Sequence, residues 1–212
     1  MTIHYPKGAA SPLHFPKQLP KKQGPVLRKA PTNFANRGMN LEEAINDSNA
    51  YYLAKNLAVV HKKPTPLQIV KVDYPKRSAA VIREAYFSQA STTDYNGVFN
   101  GYYLDFEAKE TKNKTSFPLK NFHQHQIDHF KNCLAQKGIC FVLLYFSTLN
   151  RCFYLAAEDL IVFWDQQVSG KKSIPLQTIE TLATELPEKI APRIPYLSVI
   201  EKMIAQKEAF HE

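Results

Sequence analysis

The sequence predicts an α/β protein in which helices flank both faces of a mixed central β-sheet. Residues 92–109 have the pattern of a β-hairpin around Asn100-Gly101, a dipeptide typical of a type I′ turn because both central positions need positive φ. Residues 139–146 form an unbroken apolar run, as expected of a central strand that is covered on both faces. Helical patterns lie before the hairpin and between it and this strand, an order typical of a layered α/β domain.

The elements before the hairpin are a helix, two strands and an insertion. Asn40 predicts the start of the first helix, because Glu43 three residues later completes a capping box, and the pattern continues to about residue 57. Strands are predicted at 57–61 and 67–74. Residues 78–87 have helical character, so that 67–90 form an insertion ahead of the hairpin.

A second helix is predicted from about residue 121 to 137, with Gly138 at its C′ position. Gln126 falls on its apolar stripe, and a buried amide needs a partner, for which the polar edge of the hairpin is the candidate. His123 and His125 are expected on different faces of this helix, as surface or DNA-proximal residues rather than a zinc site. The remaining elements are a strand at 152–155, a helix at 158–167 and a terminal helix at 197–207.

The turn determines which hairpin residues oppose each other. With Asn100-Gly101 at its centre, Asp94 lies opposite Glu107. Like charges at opposed positions repel unless a cation lies between them, and a divalent metal with hard oxygen ligands meets that need. A turn at residues 96–97 would dissolve the pairing and mix aromatic residues into the polar face, and therefore ranks second. The alternative without chemistry is an amphipathic hairpin whose polar face is exposed to solvent.

A cation lies beside this acidic pair in the sequence. Lys109 follows Glu107 by two residues on the same strand face, within reach of a phosphate or a metal-bound water. A basic loop comes next, and we expect the acidic hairpin at the sheet edge, facing it. Its lysines are Lys112, Lys114 and Lys120.

The net charge of +8 is concentrated near the N-terminus. Residues 1–41 contain seven basic residues and no acidic one, whereas the rest of the chain contains 20 basic and 19 acidic residues. This uneven distribution indicates a polyanion partner. Residues 1–35 also contain six prolines and few apolar residues, which predicts a disordered or extended arm that tracks phosphates or, alternatively, only improves solubility.

The insertion at 67–90 combines basic residues with aromatic ones. This mixture suits nucleic acid, a dimer contact or plain core packing of the aromatic rings. The basic members are Lys71, Lys76, Arg77 and Arg83.

The cysteine content and hydropathy predict a cytoplasmic protein. The three cysteines lie in apolar segments without metal-ligand spacing, which indicates buried thiols in a reducing compartment. No apolar run reaches 18 residues and no signal-peptide pattern is present, so neither a membrane span nor export is expected.

The hairpin resembles the active site of the PD-(D/E)xK nucleases, the restriction-endonuclease-like superfamily, and the chain more closely resembles the RecU family of Holliday junction resolvases. The resemblance covers residues 33 to the C-terminal helix. It is carried by Asn36-Arg37-Gly38-Met39 with Leu41-Glu42, by Thr92-x-Asp94, by Glu107-Ala108-Lys109, by Phe122-His123-x-His125-Gln126 and by the strand at 139–146. Thr93 precedes Asp94 where the superfamily pattern has proline.

The resemblance implies a site and an activity. Thr92, Asp94, Glu107 and Gln126 would surround Mg²⁺, or alternatively Mn²⁺, while Lys109 would stabilise the transition state. It leaves open whether Glu42 or Glu43 also joins the site. The implied basic contacts to DNA are Arg37, Lys71, Lys76, Arg77, Lys112, Lys114 and Lys120.

The implied organisation is an arm at 1–35 and a nuclease domain at 36–212, whose insertion at 67–90 projects as a stalk. The expected function is paired, symmetric nicking of four-way junctions by a homodimer in recombination and repair, leaving 5′-phosphate and 3′-hydroxyl ends. A strand-exchange recombinase is a candidate partner. The alternatives are a nuclease of linear or damaged duplex and a non-catalytic DNA-binding modulator of recombination.

Overall fold

The computed structural model describes residues 40–73, 80–87, 92–168 and 170–209. The helices are α1 (Leu41–Ala54), α2 (Gln124–Ala135), α3 (Ala157–Gln166), α4 (Leu176–Leu182) and α5 (Leu197–Ala209). The strands are β1 (Val59–Lys62), β2 (Leu67–Asp73), β3 (Val81–Phe87), β4 (Tyr95–Phe99), β5 (Tyr102–Thr111), β6 (Ser116–Pro118), β7 (Ile139–Phe146), β8 (Arg151–Ala156), β9 (Ser173–Pro175) and β10 (Thr184–Leu186).

The fold class predicted from the sequence is confirmed. Six strands form the central sheet in the order β1-β4-β5-β7-β8-β10, in which β5 and β7 are parallel and the other neighbours are antiparallel. All eight residues of β7 are buried, as its apolar run predicts. This arrangement fits the restriction-endonuclease-like fold.

Apolar side chains pack on both faces of this sheet. On one face, Phe106 and Phe141 stack with ring centroids 4.6 Å apart and contact Tyr196, next to α5. On the other face, Phe130 of α2 and Leu160 of α3 belong to a second buried cluster. Residues of β7 belong alternately to the two clusters, so this strand is covered by apolar side chains on both faces.

The hairpin has the predicted register. Asn100 and Gly101 both have positive φ, 48° and 82°, and Tyr95 pairs with Phe106 while Phe99 pairs with Tyr102. The alternative turn at residues 96–97 is wrong, because Gly97 lies inside β4. A Cβ there would lie 2.3 Å from the Val59 carbonyl oxygen, so glycine is needed for the close approach of β1.

Two expectations about the position of the hairpin are wrong. It does not lie at the sheet edge, because β1 pairs outside β4 and β7 pairs outside β5. The alternative of a solvent-exposed polar face is wrong for Asp105 and Glu107, which are both completely buried, although Asp94 on the same face is exposed. The sequence of the hairpin contains no signal for its outer neighbour, which is contributed by a segment more than 30 residues earlier.

The helix expected at 78–87 is also wrong, because residues 81–87 form β3. This strand pairs antiparallel with β2, with Val81 opposite Asp73 and Ile82 opposite Val72, and the two make a separate two-stranded ribbon. Consecutive β-branched residues pack well on a pleated surface once a partner strand is present. Residues 74–79 and 88–90, which complete the predicted insertion, lie outside the described residues.

Of the two helices that flank the hairpin in sequence, α1 begins as expected but ends earlier, whereas α2 differs from the expectation at both ends. Asn40 caps α1 as predicted, with its side chain accepting from the Glu43 N–H, but the helix ends at residue 54. Helix α2 begins only at residue 124 and ends in a Schellman arrangement, with Lys137 at C′ (φ 64°) and Gly138 one residue later. Gly138 donates its N–H to the Cys133 carbonyl, so a lysine rather than the glycine takes the left-handed conformation.

His123 precedes α2 and stacks on His125 with centroids 5.6 Å apart, so the expectation that they lie on different helix faces is wrong. Cys140 and Cys152 are buried and Cys133 is partly buried, all as free thiols. Among the described residues, no helix has both the length and the apolar character needed to cross a membrane. The short elements β6, β9, α4 and β10 have no counterpart in the sequence-based prediction.

Candidate active site

Asp94 and Glu107 are brought together by the β4–β5 hairpin. The backbone N–H of Asp94 donates a hydrogen bond to the side-chain oxygen Oε2 of Glu107 at 3.1 Å, one position beyond the Tyr95–Phe106 pair at which the β4–β5 ladder ends. Asp94 is exposed where β4 begins, whereas Glu107 lies within β5 and is completely buried. The site therefore has one carboxylate open to solvent and one in the protein interior.

Lys109 completes this group. Its ammonium lies 2.8 Å from Glu107 Oε1, and its side chain is 21% exposed. Apart from this ion pair, Glu107 Oε1 has no polar partner within the described part of the chain. A buried carboxylate oxygen with unused lone pairs is a suitable ligand for a hard cation.

The pKa of Glu107 reflects this environment. The pKa of Glu107 is raised to about 8. Burial is the largest cause, the nearby Asp94 carboxyl acts in the same direction, and Lys109 acts in the opposite direction. A divalent cation between the two carboxyl groups would reverse this trend, because it favours their ionised forms. The donor set therefore fits Mg²⁺ or Mn²⁺, which prefer oxygen ligands.

Thr92 and Gln126 make their hydrogen bonds to groups outside the acidic pair. Gln126 is buried, and its side-chain oxygen accepts from the backbone N–H of His123 at 3.0 Å. The amide oxygen thus caps its own helix, and the hydrogen bond expected from the hairpin is absent among the described residues. The Thr92 hydroxyl donates to the Thr93 carbonyl oxygen at 3.3 Å. Neither side chain bonds to Asp94 or Glu107 in the described part of the protein.

Glu42 borders the same region. It lines a cleft of about 190 Å³ together with Asp94 and Glu110, and its carboxylate pairs with the ammonium of Lys62 at 2.5 Å. Glu43 does not line this cleft. Of the two acids that the sequence left open, Glu42 is therefore the one near Asp94.

Asp105 is the site residue that sequence reasoning missed. It is completely buried two residues before Glu107, and its Oδ2 is contacted by Lys63 at 2.8 Å, Tyr103 at 2.8 Å and His129 at 3.0 Å. The available signal was its position in the strand. Residues two apart point to the same face, so Asp105 lies on the same face as Glu107. His129, Cys133 and Asp105 have potential ligand atoms within 4.8 Å of one another, but Lys63 already neutralises this carboxylate.

The predicted DNA-contacting residues fall into two groups. Lys71 on β2 and the loop lysines Lys112, Lys114 and Lys120 are all exposed. Arg37, Lys76 and Arg77 lie outside the described residues, as does the predicted arm at 1–35.

The family model for Recombination protein U matches residues 36–202. The chain belongs to the RecU family. Three curated relatives, each called Holliday junction resolvase RecU, match over nearly their whole length. The relative from Lactiplantibacillus plantarum is 61% identical over all of both chains. The RecU relative from Latilactobacillus sakei is 57% identical, covering 97% of this chain and 98% of its own, and the one from Limosilactobacillus fermentum is 53% identical, covering 99% and 97%.

Proposed function

We propose that this chain is a metal-dependent Holliday junction resolvase, an endonuclease that introduces paired symmetric nicks into four-way DNA junctions during recombination and repair. The relatives at 53–61% identity carry the name of this activity. The observation that supports a catalytic rather than a purely structural hairpin is the burial of Glu107 between Asp94 and Lys109. A buried carboxylate is costly unless it is used or fully paired.

Each residue has a distinct task in the proposed reaction. Asp94 and Glu107, together with Thr92 and Gln126, would hold Mg²⁺ or Mn²⁺. When bound, the metal supplies Lewis-acid activation of the scissile phosphate and of an attacking water. The Lys109 ammonium neutralises negative charge that develops on the phosphate, and cleavage leaves a 5′-phosphate and a 3′-hydroxyl.

The remaining features support binding of a large polyanion. Lys112 and Lys114 follow directly after β5, which carries Glu107 and Lys109, and Lys120 follows β6; all three are exposed. The β2–β3 ribbon pairs with no strand of the central sheet, which favours the proposal that the insertion at 67–90 is a stalk directed at the junction. A homodimer presents two sites related by two-fold symmetry, matching the symmetry of a four-way junction. We propose a cytoplasmic protein, with a strand-exchange recombinase as a candidate partner.

The decisive experiment compares cleavage of a mobile four-way junction with cleavage of a linear duplex of the same sequence, with Mg²⁺, with Mn²⁺ and without divalent metal. We expect symmetric nicks in the junction only when metal is present. Equal cutting of the linear duplex would replace the resolvase assignment by a general nuclease.

Variants separate catalysis from binding. We expect Asp94→Asn and Glu107→Gln to abolish nicking and Lys109→Ala to slow it by about 10²–10³-fold, a typical loss when one transition-state contact is removed. Junction affinity in gel-shift assays should change little. Glu201→Gln is the matched control, because Glu201 is an exposed carboxylate on α5 and does not line the cleft that contains Asp94. Nicking that survives all three substitutions would favour a structural hairpin in a non-catalytic DNA-binding protein.

A further inference from the structure

Lys63 contacts the polypeptide around Asp94 in two ways. Its backbone N–H donates to the Asp94 carbonyl oxygen at 2.7 Å, continuing the pairing of β1 with β4. Its ammonium lies 2.9 Å from the hydroxyl oxygen of Thr93, the residue directly before Asp94. One residue therefore holds both the main chain of Asp94 and the side chain beside it.

The other partner of this ammonium is the buried Asp105. Lys63 Nζ lies 2.8 Å from Asp105 Oδ2, and the Thr93 hydroxyl donates to Asp105 Oδ1. Asp105 also accepts from Tyr103, and His129 lies within hydrogen-bond distance. The Lys63 side chain is only 17% exposed, so its ammonium depends on Asp105 and Thr93 for polar partners. The buried Asp105 carboxylate in turn depends on Lys63 for a neutralising cation.

This network connects the two strands that carry the site. Thr93 precedes β4, whereas Asp105 lies in β5 two residues before Glu107, on the same strand face. The network therefore fixes the start of β4 relative to the part of β5 that holds the buried carboxylate. Because Asp94 is exposed and has few contacts of its own, its position depends on these neighbours.

We propose that Lys63 is a positioning residue that sets the Asp94 carboxylate at metal-binding distance from Glu107, an inference that rests on the proposed function. The ammonium contacts neither of these two carboxylates in the described structure, so its effect passes through Thr93, Asp105 and the Asp94 main chain. Residues that orient metal ligands in this way typically change metal affinity or activity by about 10–100-fold when replaced.

The test measures metal binding directly and nicking separately. Mn²⁺ affinity is measured by electron paramagnetic resonance, and nicking of a four-way junction is measured over a range of Mg²⁺ concentrations. For Lys63→Met we expect Mn²⁺ affinity to fall roughly 10–100-fold and the Mg²⁺ concentration for half-maximal nicking to rise in parallel. The nicking rate at saturating Mg²⁺ and the junction affinity without metal should stay within a few-fold of the unmodified chain.

The matched control is Lys131→Met. Lys131 pairs with the exposed Asp165 on the surface, so its removal should leave both the Mn²⁺ affinity and the Mg²⁺ requirement unchanged. Lys63→Arg keeps the positive charge and should recover part of the affinity lost in Lys63→Met. Wild-type Mn²⁺ affinity in Lys63→Met would overturn the positioning role. Absence of Mn²⁺ binding or nicking in the unmodified chain would instead overturn the proposed function.

A second variant controls for loss of folding in Lys63→Met. Lys63→Met alone leaves Asp105 as a buried charge without its cation, which is strongly destabilising. Lys63→Met/Asp105→Asn removes that charge and keeps the shape, so thermal unfolding should show a stability closer to that of the unmodified chain. If the double variant folds and binds Mn²⁺ as tightly as the unmodified chain, the proposal fails. A persistent loss of metal affinity in this folded variant supports it.

Discussion

At the scale of single residues, the burial of Glu107 links the site to protein stability. In the folded, metal-free chain burial raises the pKa of Glu107 to about 8, against 4.5 for an ordinary glutamate. Between these values the folded state binds a proton that the unfolded state does not bind. The resulting stabilisation is complete below about pH 4.5 and is lost as the pH rises through about 8.

This difference predicts a pH effect that can be attributed to one side chain. In the presence of a chelator, we expect the free energy of unfolding to fall between about pH 5 and about pH 8 more steeply for the unmodified chain than for Glu107→Gln, which does not titrate. Urea denaturation at several pH values measures both slopes. Saturating Mg²⁺ should reduce the difference, because the cation favours the ionised carboxylate. Parallel slopes without metal would contradict the perturbed pKa.

Residue types alone predicted part of the site. The Asn-Gly turn fixed the register, and the register placed Asp94 opposite Glu107, so this contact followed from local sequence. Lys63 and Asp105 were missed because their contact spans 42 residues and requires knowing that β1 lies beside β4. Gln126 was correctly expected to face inward, but its oxygen binds the start of its own helix, which depends on where α2 begins.

At the scale of secondary-structure elements, the pairing of β1 with β4 places Lys63, the residue after β1, next to Thr93 and Asp94. Gly97 permits this contact, since a Cβ would lie 2.3 Å from the Val59 carbonyl oxygen and 2.7 Å from Val60 Cα. Both neighbours are main-chain atoms of a paired strand, so they cannot move without shifting β1. Glycine in a strand is otherwise unfavourable, which makes the packing requirement the reason for its presence here.

We therefore expect Gly97→Ala to destabilise the protein by about 1–3 kcal/mol, the usual cost of overpacking, and to weaken Mn²⁺ binding by displacing Lys63. Val98→Ala is the control, because Val98 is the next residue of β4 and is half exposed. Urea denaturation and Mn²⁺ titration of both variants provide the measurement. A Gly97→Ala protein with unchanged stability would show that β1 tolerates a side chain at this crossing.

Element types were predictable where the local pattern was strong and failed where pairing decided the outcome. The strand at 139–146 and the helix begun by Asn40 follow from apolar periodicity and capping. Residues 81–87 form a strand because β2 lies beside them, and that information is absent from their own sequence. The same reason applies to the short β10, which has only three residues and exists through its pairing with β8.

At the scale of the whole molecule, charge is distributed very unevenly along the chain. Residues 1–41 carry seven basic and no acidic residues, whereas the remainder is nearly balanced. A polyanion partner releases counterions for each phosphate that is neutralised, so binding that depends on this segment should be strongly sensitive to salt. Lys112, Lys114 and Lys120 are also exposed, and we expect them to supply a smaller number of such contacts.

The last prediction separates these two sources of affinity. Changing Lys21, Lys22, Arg28 and Lys29 to glutamine in the full-length chain should make the slope of log Kd against log salt concentration shallower by about 0.9 for each lost phosphate contact. Glutamine at Lys171, Lys189, Lys202 and Lys207, all exposed in the C-terminal part, serves as a charge-matched control and should change the slope less. Metal-dependent nicking at low salt should persist in both variants, because Asp94, Glu107 and Lys109 are intact. Equal slopes in the two variants would show that net charge, rather than an arm that follows the phosphates, governs binding to the junction.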